Sequence, residues 1–471
     1  MYRFRDPPSA SLTRPAIRPP ACQPLNPLKP ARFPPFEHLA PRRKAVAALR
    51  LGACSCIAVL LLGLAHAPSW AAAAAPESKN PPELKKLAAV VTVYTKHSHA
   101  DILLGRYLEG ATVGVRQEHP RFKLVSLYMD QTPKEEIGRG LAQQNGVRLS
   151  PTPADAITLG TGKLAVDGVL LICEFGDYPT SDTGQVQFPK RRLFDQIAAV
   201  FKTSGRVVPL FCDKHLSDNW TDAKEIYDTT RQLRTPLMAG SSLPGTWRYP
   251  PVDVKRDAKL EQIMVLSYHT LDAYGFHALE VAQALAERRQ GGETGVKAVQ
   301  CLVDQAVWDA GANGTYDPKL LAAGLDRVVW RPYTGTLEKA VAHPVLWVID
   351  YQDGLRVNVI TLNYAIGQWA TAWRYQSNPA IESTLFWTQE GPPFEHFEFQ
   401  LEGIESMILS GQPAWPAERT LMSSGLLDAL LISKKQGGKR LETPQLRFSY
   451  KSAWNWQQPP APTGPRLFFP K

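Results

Sequence analysis

Apolar runs of strand length alternate with helical stretches from residue 84 onward, and this alternation is the main pattern of the chain. The runs are rich in Val, Leu and Ile and carry few charges, which is typical of strands that are covered on both faces. Strands alternating with helices in this way indicate a parallel α/β layer. The predicted strands are residues 88–94, 122–129, 168–173, 207–212 and 236–239.

A helical repeat follows the fourth of these strands. Apolar positions recur at three- and four-residue steps from Trp220 to Leu233. Ser217 and Thr221 are capping candidates at its start, and Pro236 stands just beyond its end. The spacing predicts a helix over this stretch.

From about residue 243 the pattern changes to longer strands of antiparallel type. The runs 345–351 and 355–362 flank Gln352-Asp353-Gly354. An Asp-Gly turn between two β-rich runs predicts a hairpin. Two late helices, each followed by a glycine that stops it, are predicted over roughly residues 394–409 and 417–433.

The net charge of +9 over 471 residues is concentrated at the N-terminus. The first fifty residues hold ten Lys and Arg against Asp6 and Glu37, and residues 51–76 carry no charged side chain. The remaining 395 residues are therefore close to neutral. This excludes a general affinity for nucleic acid, and the length excludes a minimal binding module.

The N-terminal stretch has the composition of a leader. Eleven prolines lie among the first 45 residues, which favours disorder. Arg42-Arg43 precedes an apolar run at 51–65 and a Ser69-Trp70-Ala71 cleavage candidate. This layout predicts export by a secretory signal, with a twin-arginine signal as one form of it. A membrane anchor that is not cleaved is the alternative, and it is the one membrane contact we expect.

The cysteines outside this leader are Cys173, Cys212 and Cys301. Their odd number and lack of paired spacing argue against a disulfide scaffold or a zinc knuckle. Cys173 and Cys212 each end an apolar run, where small buried thiols are common.

Four stretches resemble the Gfo/Idh/MocA oxidoreductase family, over about residues 84–450. This resemblance implies an α/β fold in which an N-terminal Rossmann-like doubly wound parallel sheet precedes an α+β domain with a large, mostly antiparallel open sheet. The stretches are Asp-Gly-Val-Leu-Leu-Ile at 167–172, the strand that ends in Cys-Asp-Lys-His at 212–215, Asp-Ala-Tyr-Gly-Phe-His-Ala-Leu-Glu at 272–280, and the closing helices at 402–413 and from 418.

The family would bind NAD or NADP at the turn after the first strand, and this chain departs from its pattern there. A Gly-x-Gly-x-x-Gly turn lets the backbone approach the pyrophosphate. Here no glycine occurs between the strand and Gly105. The cofactor contacts that the resemblance implies are Thr95, Lys96, Ser98, Asp130 and Asp213. A solvated carboxylate at the end of the second strand is the alternative for Asp130.

The resemblance also implies the catalytic residues. Lys214 would lie beside nicotinamide and substrate, and His277 would exchange the proton of the substrate hydroxyl. Asp272 would assist His277, and Glu280, one helical turn later, would bind substrate hydroxyls. A surface lysine and a structural histidine are the alternatives for the first two.

The leading hypothesis is an exported oxidoreductase that transfers hydride between NAD(P) and a sugar or polyol. A carbohydrate-binding or structural relative without cofactor chemistry is the alternative, because the glycine-free turn weakens dinucleotide binding. A metal-dependent hydrolase or lyase that uses His97, His99 and Asp101 comes third. Lys190-Arg191-Arg192, at the start of a predicted helix, is either a phosphate contact or a solvated face.

The predicted partner is a small molecule and not a nucleic acid, and the family's use of its open sheet face implies a dimer or tetramer. The predicted organisation is a disordered Pro/Arg-rich leader at 1–45, a signal segment at 46–76, a Rossmann-like NAD(P)-binding-type domain at 84–243, a second sheet domain at 244–451 and a Pro-rich tail at 452–471.

Overall fold

The computed structural model describes residues 84–109 and 121–470, so the predicted leader lies outside the described residues. The first sheet has six parallel strands in the order β3-β2-β1-β4-β5-β6. This is the strand order of a Rossmann fold. The strands are β1 Lys85–Val91, β2 Phe122–Met129, β3 Arg148–Leu149, β4 Gly168–Ile172, β5 Leu210–Asp213 and β6 Leu237–Gly240.

All five predicted strands of this sheet are confirmed, with ends shifted by a few residues. Only β3 was missed, because two residues carry no period of their own. The helices between the strands are α1 His99–Leu104, α2 Gly138–Gln144, α3 Pro153–Thr158, α4 Lys190–Ser204 and α5 Trp220–Leu233. The predicted helix at 220–233 is α5.

Both faces of the sheet are buried, which explains the continuous apolar runs. Leu87, Ala89 and Val91 of β1 belong to one hydrophobic cluster, and Ala88 and Val90 belong to the other. Successive side chains of a strand point to opposite faces, so a strand between two helical layers needs apolar residues at every position.

The second sheet has eight strands in the order β14-β9-β10-β11-β8-β12-β13-β7. Neighbours pair antiparallel except β8 and β11. The predicted Asp-Gly hairpin joins β10 and β11, with Val345 opposite Thr361. The strands are β7 Trp247–Tyr249, β8 Leu260–Ser267, β9 Val296–Val303, β10 Val345–Tyr351, β11 Arg356–Thr361, β12 Trp369–Tyr375, β13 Asn378–Trp387 and β14 Leu441–Glu442.

Helices cover both faces of this second sheet. One hydrophobic cluster joins it to α6 and α11, and another joins its opposite face to α7 and α8. The face through which the resemblance implies assembly is thus partly covered by the chain's own helices. The remaining helices are α6 Ala273–Ala286, α7 Gln305–Ala312, α8 Pro318–Leu325, α9 Leu337–Ala340, α10 Glu398–Ser410 and α11 Ala417–Lys435.

The C-terminal part of the chain returns to the first sheet. Leu401, Ile404 and Met407 of α10 pack in the same cluster as β1. Residues 452–470 form neither helix nor strand, and the indole of Trp456 donates to the carbonyl of Thr246 at 2.8 Å. Within the described ranges, none of the helices has the length and apolar character that a membrane crossing requires.

Candidate functional site

Polar side chains gather where β1, β4, β5 and β6 end, at the carboxyl edge of the first sheet. Open α/β sheets bind their ligands at this edge. After β5 the chain bends sharply at Lys214, whose φ is 57°, and its amide donates to the carbonyl of Gly240 at 3.1 Å. The bend therefore lies beside the end of β6.

Lys214 is buried and paired. Its side chain is 4% exposed and forms an ion pair with Glu174, the second residue after β4. A solvated surface lysine, which was the alternative at this position, is therefore wrong. A lysine is rarely buried unless its charge is paired, and Glu174 supplies the opposite charge here.

Asp213 precedes Lys214 and contacts His99, which lies 114 positions earlier in the chain. Nδ1 of His99 lies 2.7 Å from Oδ2 of Asp213, which is almost fully buried. The buried ammonium of Lys190 donates to the Asp213 carbonyl at 2.7 Å. Burial alone raises the pKa of Asp213, but the charge and hydrogen bond of His99, with Lys190 and Lys214, hold this pKa below its usual value.

His277 faces the same cluster from α6. Its Nδ1 lies 2.6 Å from the hydroxyl of Ser241, the residue after β6, and its ring centroid is 6.4 Å from that of His99. Burial, and next the charge of Lys214, lower the pKa of His277 well below its ordinary value. The imidazole is therefore neutral at physiological pH.

Asp272 is placed differently from its predicted role. Its carboxylate accepts from the backbone amide of Val186 at 3.0 Å, so it anchors the segment of residues 174–189 that precedes α4. Burial raises its pKa, while the Val186 hydrogen bond and the charge of Lys214 partly oppose this effect. No hydrogen bond between Asp272 and His277 is found in the described part of the chain.

Glu280 lies deeper than a substrate ligand needs to be. Its side chain is fully buried, and Oε2 is 3.4 Å from the Ser241 amide. A Cβ at Gly240 would overlap this carboxylate, so the glycine is required here, where φ is 115°. Burial raises the pKa of Glu280 to about 7, against the opposing charge of Arg419.

This carboxyl makes stability depend on pH. Because the folded pKa lies above the unfolded value, ionisation opposes folding, so stability falls as pH rises from about 4.5 to about 7. We expect Glu280→Gln to remove about 2 kcal/mol of the loss between pH 5 and pH 8, measured by urea unfolding. The exposed Glu442→Gln is the control and leaves the loss unchanged; equal profiles for Glu280→Gln and wild type would contradict the assignment.

The turn between β1 and α1 holds an acid at the helix start. The Asp101 amide donates to the hydroxyl of Ser98 at 3.3 Å, and the buried Asp101 carboxylate accepts from the His97 amide at 2.8 Å. This arrangement is similar to a capping box, except that the carboxylate binds the amide of the residue before the N-cap Ser98. Three cofactor contacts were predicted in this turn. Lys96 is exposed, Thr95 forms an antiparallel backbone β-bridge with Glu136, and Ser98 is buried.

Asp130 at the end of β2 is fully engaged. It accepts from the hydroxyls of Tyr128 and Tyr178 at 2.7 and 2.8 Å, and from Arg192 at 2.8 Å on both oxygens. These hydrogen bonds, led by that of Arg192, outweigh burial and lower its pKa. Its side chain is 10% exposed, so the alternative of a solvated carboxylate is wrong.

The basic run at the start of α4 is neutralised within the protein. Lys190 is buried and donates to the carbonyls of Asp213 and His215, Arg191 pairs with Asp195, and Arg192 pairs with Asp130. These contacts account for the cations without a phosphate, and Lys190 is not part of a solvated face.

The ligands expected for a metal do not meet. His97 is exposed with its ring against Phe394, and the Asp101 carboxylate binds backbone. In the described ranges, the group with ligand geometry is instead His99, Glu174 and Asp213, whose candidate atoms lie within 4.8 Å of one another. The alternative based on His97 and Asp101 is thus wrong in its ligands.

Glu174 and Ser241 are the site residues that the sequence reasoning missed. Ser241 directly follows β6, and Glu174 is the second residue after β4. The carboxyl ends of parallel strands lie at one edge of the sheet, so a polar residue just after a predicted strand was the signal that could have identified both. The three cysteines outside the leader are free and buried. For Cys173 and Cys212, burial was predicted from their positions at the ends of apolar runs.

A cavity of about 280 Å³ lies next to Ser241. Aromatic rings and hydrogen-bonding side chains share its wall. In the wall, the hydroxyl of Ser242 and Oε1 of Gln400 are buried and form no hydrogen bond within the described residues. The lining includes Ser242, Gln400, Glu402, Trp415, Trp454 and Trp456.

Comparison with known proteins identifies the fold. No family model matches the chain, and no curated protein matches it in sequence. Among solved structures, GenD2 from gentamicin A biosynthesis, in complex with NAD, superposes with a TM-score of 0.51 at 13% identity, over 78% of this chain and 99% of that one.

Two further structures have lower scores. A myo-inositol dehydrogenase from Corynebacterium glutamicum gives a TM-score of 0.46 at 12% identity, over 76% of this chain and 98% of that one. An oxidoreductase from Agrobacterium radiobacter, in complex with NAD+, L-tartaric acid and magnesium, also gives a TM-score of 0.46 at 12% identity, over 76% of this chain and 98% of that one. The chain has the fold of the Gfo/Idh/MocA oxidoreductases, a Rossmann-like parallel sheet followed by a larger, mostly antiparallel sheet, as its sequence stretches predicted.

Proposed function

We propose that this chain is an oxidoreductase that acts on a hydroxyl group of a sugar or polyol, with NAD or NADP as its cofactor. The observation that carries the proposal is the buried group of Lys214, Asp213 and His277 at the carboxyl edge of a sheet with Rossmann strand order. Solved proteins with this fold include an NAD complex and inositol dehydrogenases, which supports the choice of cofactor and substrate class.

The residues suit the two ends of a dinucleotide unequally. At the reactive end, Lys214 and His277 offer a cation and an imidazole beside the strand ends. At the phosphate end, the Asp101 carboxylate occupies the start of α1, where an anion would otherwise find backbone amides. At the ribose position, the Asp130 oxygens already accept four hydrogen bonds. For Asp130 to bind the hydroxyls of the adenosine ribose, one of these donors, such as Tyr178, would therefore have to be displaced.

The chain's own residues would position the substrate and move its proton. Bound nicotinamide would supply the hydride chemistry. The Lys214 ammonium, held by Glu174, would bind a substrate oxygen and favour the negative charge that develops there. The walls formed by Phe175, Phe397 and Trp369 around His99 and His277 would limit the access of water.

Nucleotide titration tests this function. We expect NADH or NADPH to quench the tryptophan fluorescence of the purified protein, and oxidation of myo-inositol or an aldose to follow with the matching oxidised nucleotide. Because one negative charge at a helix start opposes an anion by about 0.3 to 2 kcal/mol, Asp101→Asn should tighten nucleotide binding about 2- to 30-fold.

Asp222→Asn is the matched control, since Asp222 holds the same position in α5 as Asp101 in α1 and should leave the affinity unchanged. Failure of both nucleotides to bind wild type and Asp101→Asn at millimolar concentration would remove the proposal.

The second candidate is a carbohydrate-binding relative without redox chemistry. The occupied acids Asp101 and Asp130 favour it, because both stand where the cofactor would bind. A rise in melting temperature with sugar alone, together with no nucleotide binding, would identify this function.

Export and assembly belong to the same proposal. The Arg42-Arg43 pair and the following apolar run support export, and the N-terminal sequence of protein recovered from the producing cells would test it. Light scattering would measure whether the protein is a dimer or a tetramer. Because α7 and α8 cover one face of the second sheet, less of that face is available for contact with another subunit.

A further inference from the structure

The contact between His99 and Asp213 assigns a proton to one ring nitrogen. Nδ1 of His99 is 2.7 Å from Oδ2 of Asp213, and the two residues are 114 positions apart. A neutral imidazole whose Nδ1 faces a carboxylate carries its proton on Nδ1. The lone pair of Nε2 is then left as a hydrogen-bond acceptor.

Asp213 remains an anion in this arrangement. Its backbone carbonyl accepts from the Lys190 ammonium, and, against the effect of burial, the nearby charges of Lys190 and Lys214 favour the ionised carboxylate. A buried carboxylate that orients an imidazole also stabilises the imidazolium that forms when the ring takes a proton. His99 therefore has the environment of a general base.

His277 has the opposite arrangement. The amide of Leu243 donates to the Ser241 hydroxyl at 3.0 Å, and the same hydroxyl lies 2.6 Å from Nδ1 of His277. A hydroxyl has one proton to donate, and among the hydrogen bonds of the described residues Nδ1 of His277 is the acceptor within its reach, so we assign the proton of this contact to the hydroxyl. The His277 proton then sits on Nε2, so this ring presents a donor.

We propose that His99, oriented by Asp213, accepts the proton of the substrate hydroxyl, and that His277 donates a hydrogen bond to the substrate. This inference rests on the proposed function and reassigns the base from His277 to His99. In the step, the O–H bond breaks, the proton joins Nε2 of His99 and the electron pair stays on the substrate oxygen. The two ring centroids are 6.4 Å apart, so one small ligand beside the rings could contact both.

A metal bound by His99, Glu174 and Asp213 would use the same atoms. Their spacing within 4.8 Å permits it, but the Lys214 ammonium already neutralises the Glu174 carboxylate. Lys190 adds a second buried cation on the backbone of Asp213. Because two cations already offset the two carboxylates, the charge balance favours the base over the metal.

Ring-nitrogen NMR on the histidine-labelled full chain tests the assignment. We expect His99, identified from the His99→Asn spectrum, to be protonated on Nδ1, and His277 on Nε2. Ser241→Ala removes the hydroxyl that donates to Nδ1 of His277, so we expect it to change the protonation of the His277 ring nitrogens and to leave those of His99 unchanged. The opposite tautomers in the wild type would overturn the proposal, and so would stoichiometric zinc, manganese or iron in protein whose content falls in His99→Asn.

Diethyl pyrocarbonate, which acylates the free ring nitrogen of a neutral imidazole, provides a readout that needs no cofactor. We expect His99 to react faster than His277, and Asp213→Asn to slow His99 about tenfold. The exposed pair of His343 and Asp304 is the matched control, since Asp304→Asn should change the rate of His343 little. Faster modification of His277, or no effect of Asp213→Asn, would overturn the proposal.

Turnover provides the second readout once the nucleotide and polyol titration has identified a substrate. His99→Asn should lower kcat about 100-fold or more, with nucleotide affinity unchanged, and His277→Asn should mainly raise KM. The reverse order of the two losses would overturn the assignment. If no polyol is turned over, the proposed function fails, and the tautomers and acylation rates alone decide whether His99 is the base.

Discussion

Lys214→Met lowers kcat about 100-fold or more, because it removes the ammonium that we expect to bind a substrate oxygen. The side chain is 4% exposed and is held by Glu174, so its position is set before any ligand arrives. The substitution keeps the length and apolar stem of the side chain. Turnover with the sugar or polyol found by titration is the measurement.

The same change also costs stability, and a double variant separates the two effects. Lys214→Met leaves the Glu174 carboxylate, which is 11% exposed, without its counter-charge. Glu174→Gln in the same chain removes that charge, so the melting temperature should recover while turnover should not. A double variant that regains activity, or a single variant that keeps more than about a tenth of it, would show that Lys214 has a structural role only.

Arg419→Met destabilises the protein by about 3 to 5 kcal/mol, the largest stability loss we expect from one side chain. Arg419 lies in α11 and is 1% exposed. Its guanidinium forms a bidentate pair with Glu287, which also accepts from the hydroxyl of Tyr450 at 2.9 Å. Removing the cation leaves the Glu287 carboxylate in the core with the Tyr450 hydroxyl as its donor among the described residues. Urea unfolding at pH 7 measures the loss.

An exposed pair gives the control for this prediction. Lys224 and Asp228 are more than 40% exposed, so Lys224→Met should cost less than about 1 kcal/mol. Arg419→Met combined with Glu287→Met should recover part of the stability, because two apolar side chains replace a broken pair. Equal losses for Arg419→Met and Lys224→Met would mean that the buried pair does not contribute more than a surface pair.

The strands of the first sheet could be predicted because their pattern is local. β1, β2, β4, β5 and β6 are covered on both faces, so each is a continuous apolar run that can be recognised without its neighbours. The hairpin of β10 and β11 was equally local, since its turn lies between its strands. The two-residue strand β3 lacked such a pattern.

The site was predicted only in part. Lys214 and His277 both contact residues that follow strands of the first sheet, Glu174 after β4 and Ser241 after β6, while their catalytic roles stay a prediction. The partners of the predicted residues were not predictable, because Glu174 precedes Lys214 by 40 positions and Arg192 follows Asp130 by 62. Such pairs depend on strand order and on the path of the 174–189 segment, which no local period encodes.

By itself, the sequence determined the parallel α/β layer, the antiparallel region that follows it and the near neutrality of residues 77–471, since all three depend on residue types and their spacing. The tertiary structure decided which polar side chains are engaged in hydrogen bonds and ion pairs within the protein and which stay available to a ligand. It buried Asp101 in the α1 turn, saturated Asp130 and joined His99 to Asp213. The physical reason is that hydrogen bonds and buried charges are satisfied across the fold, between residues that only packing brings together.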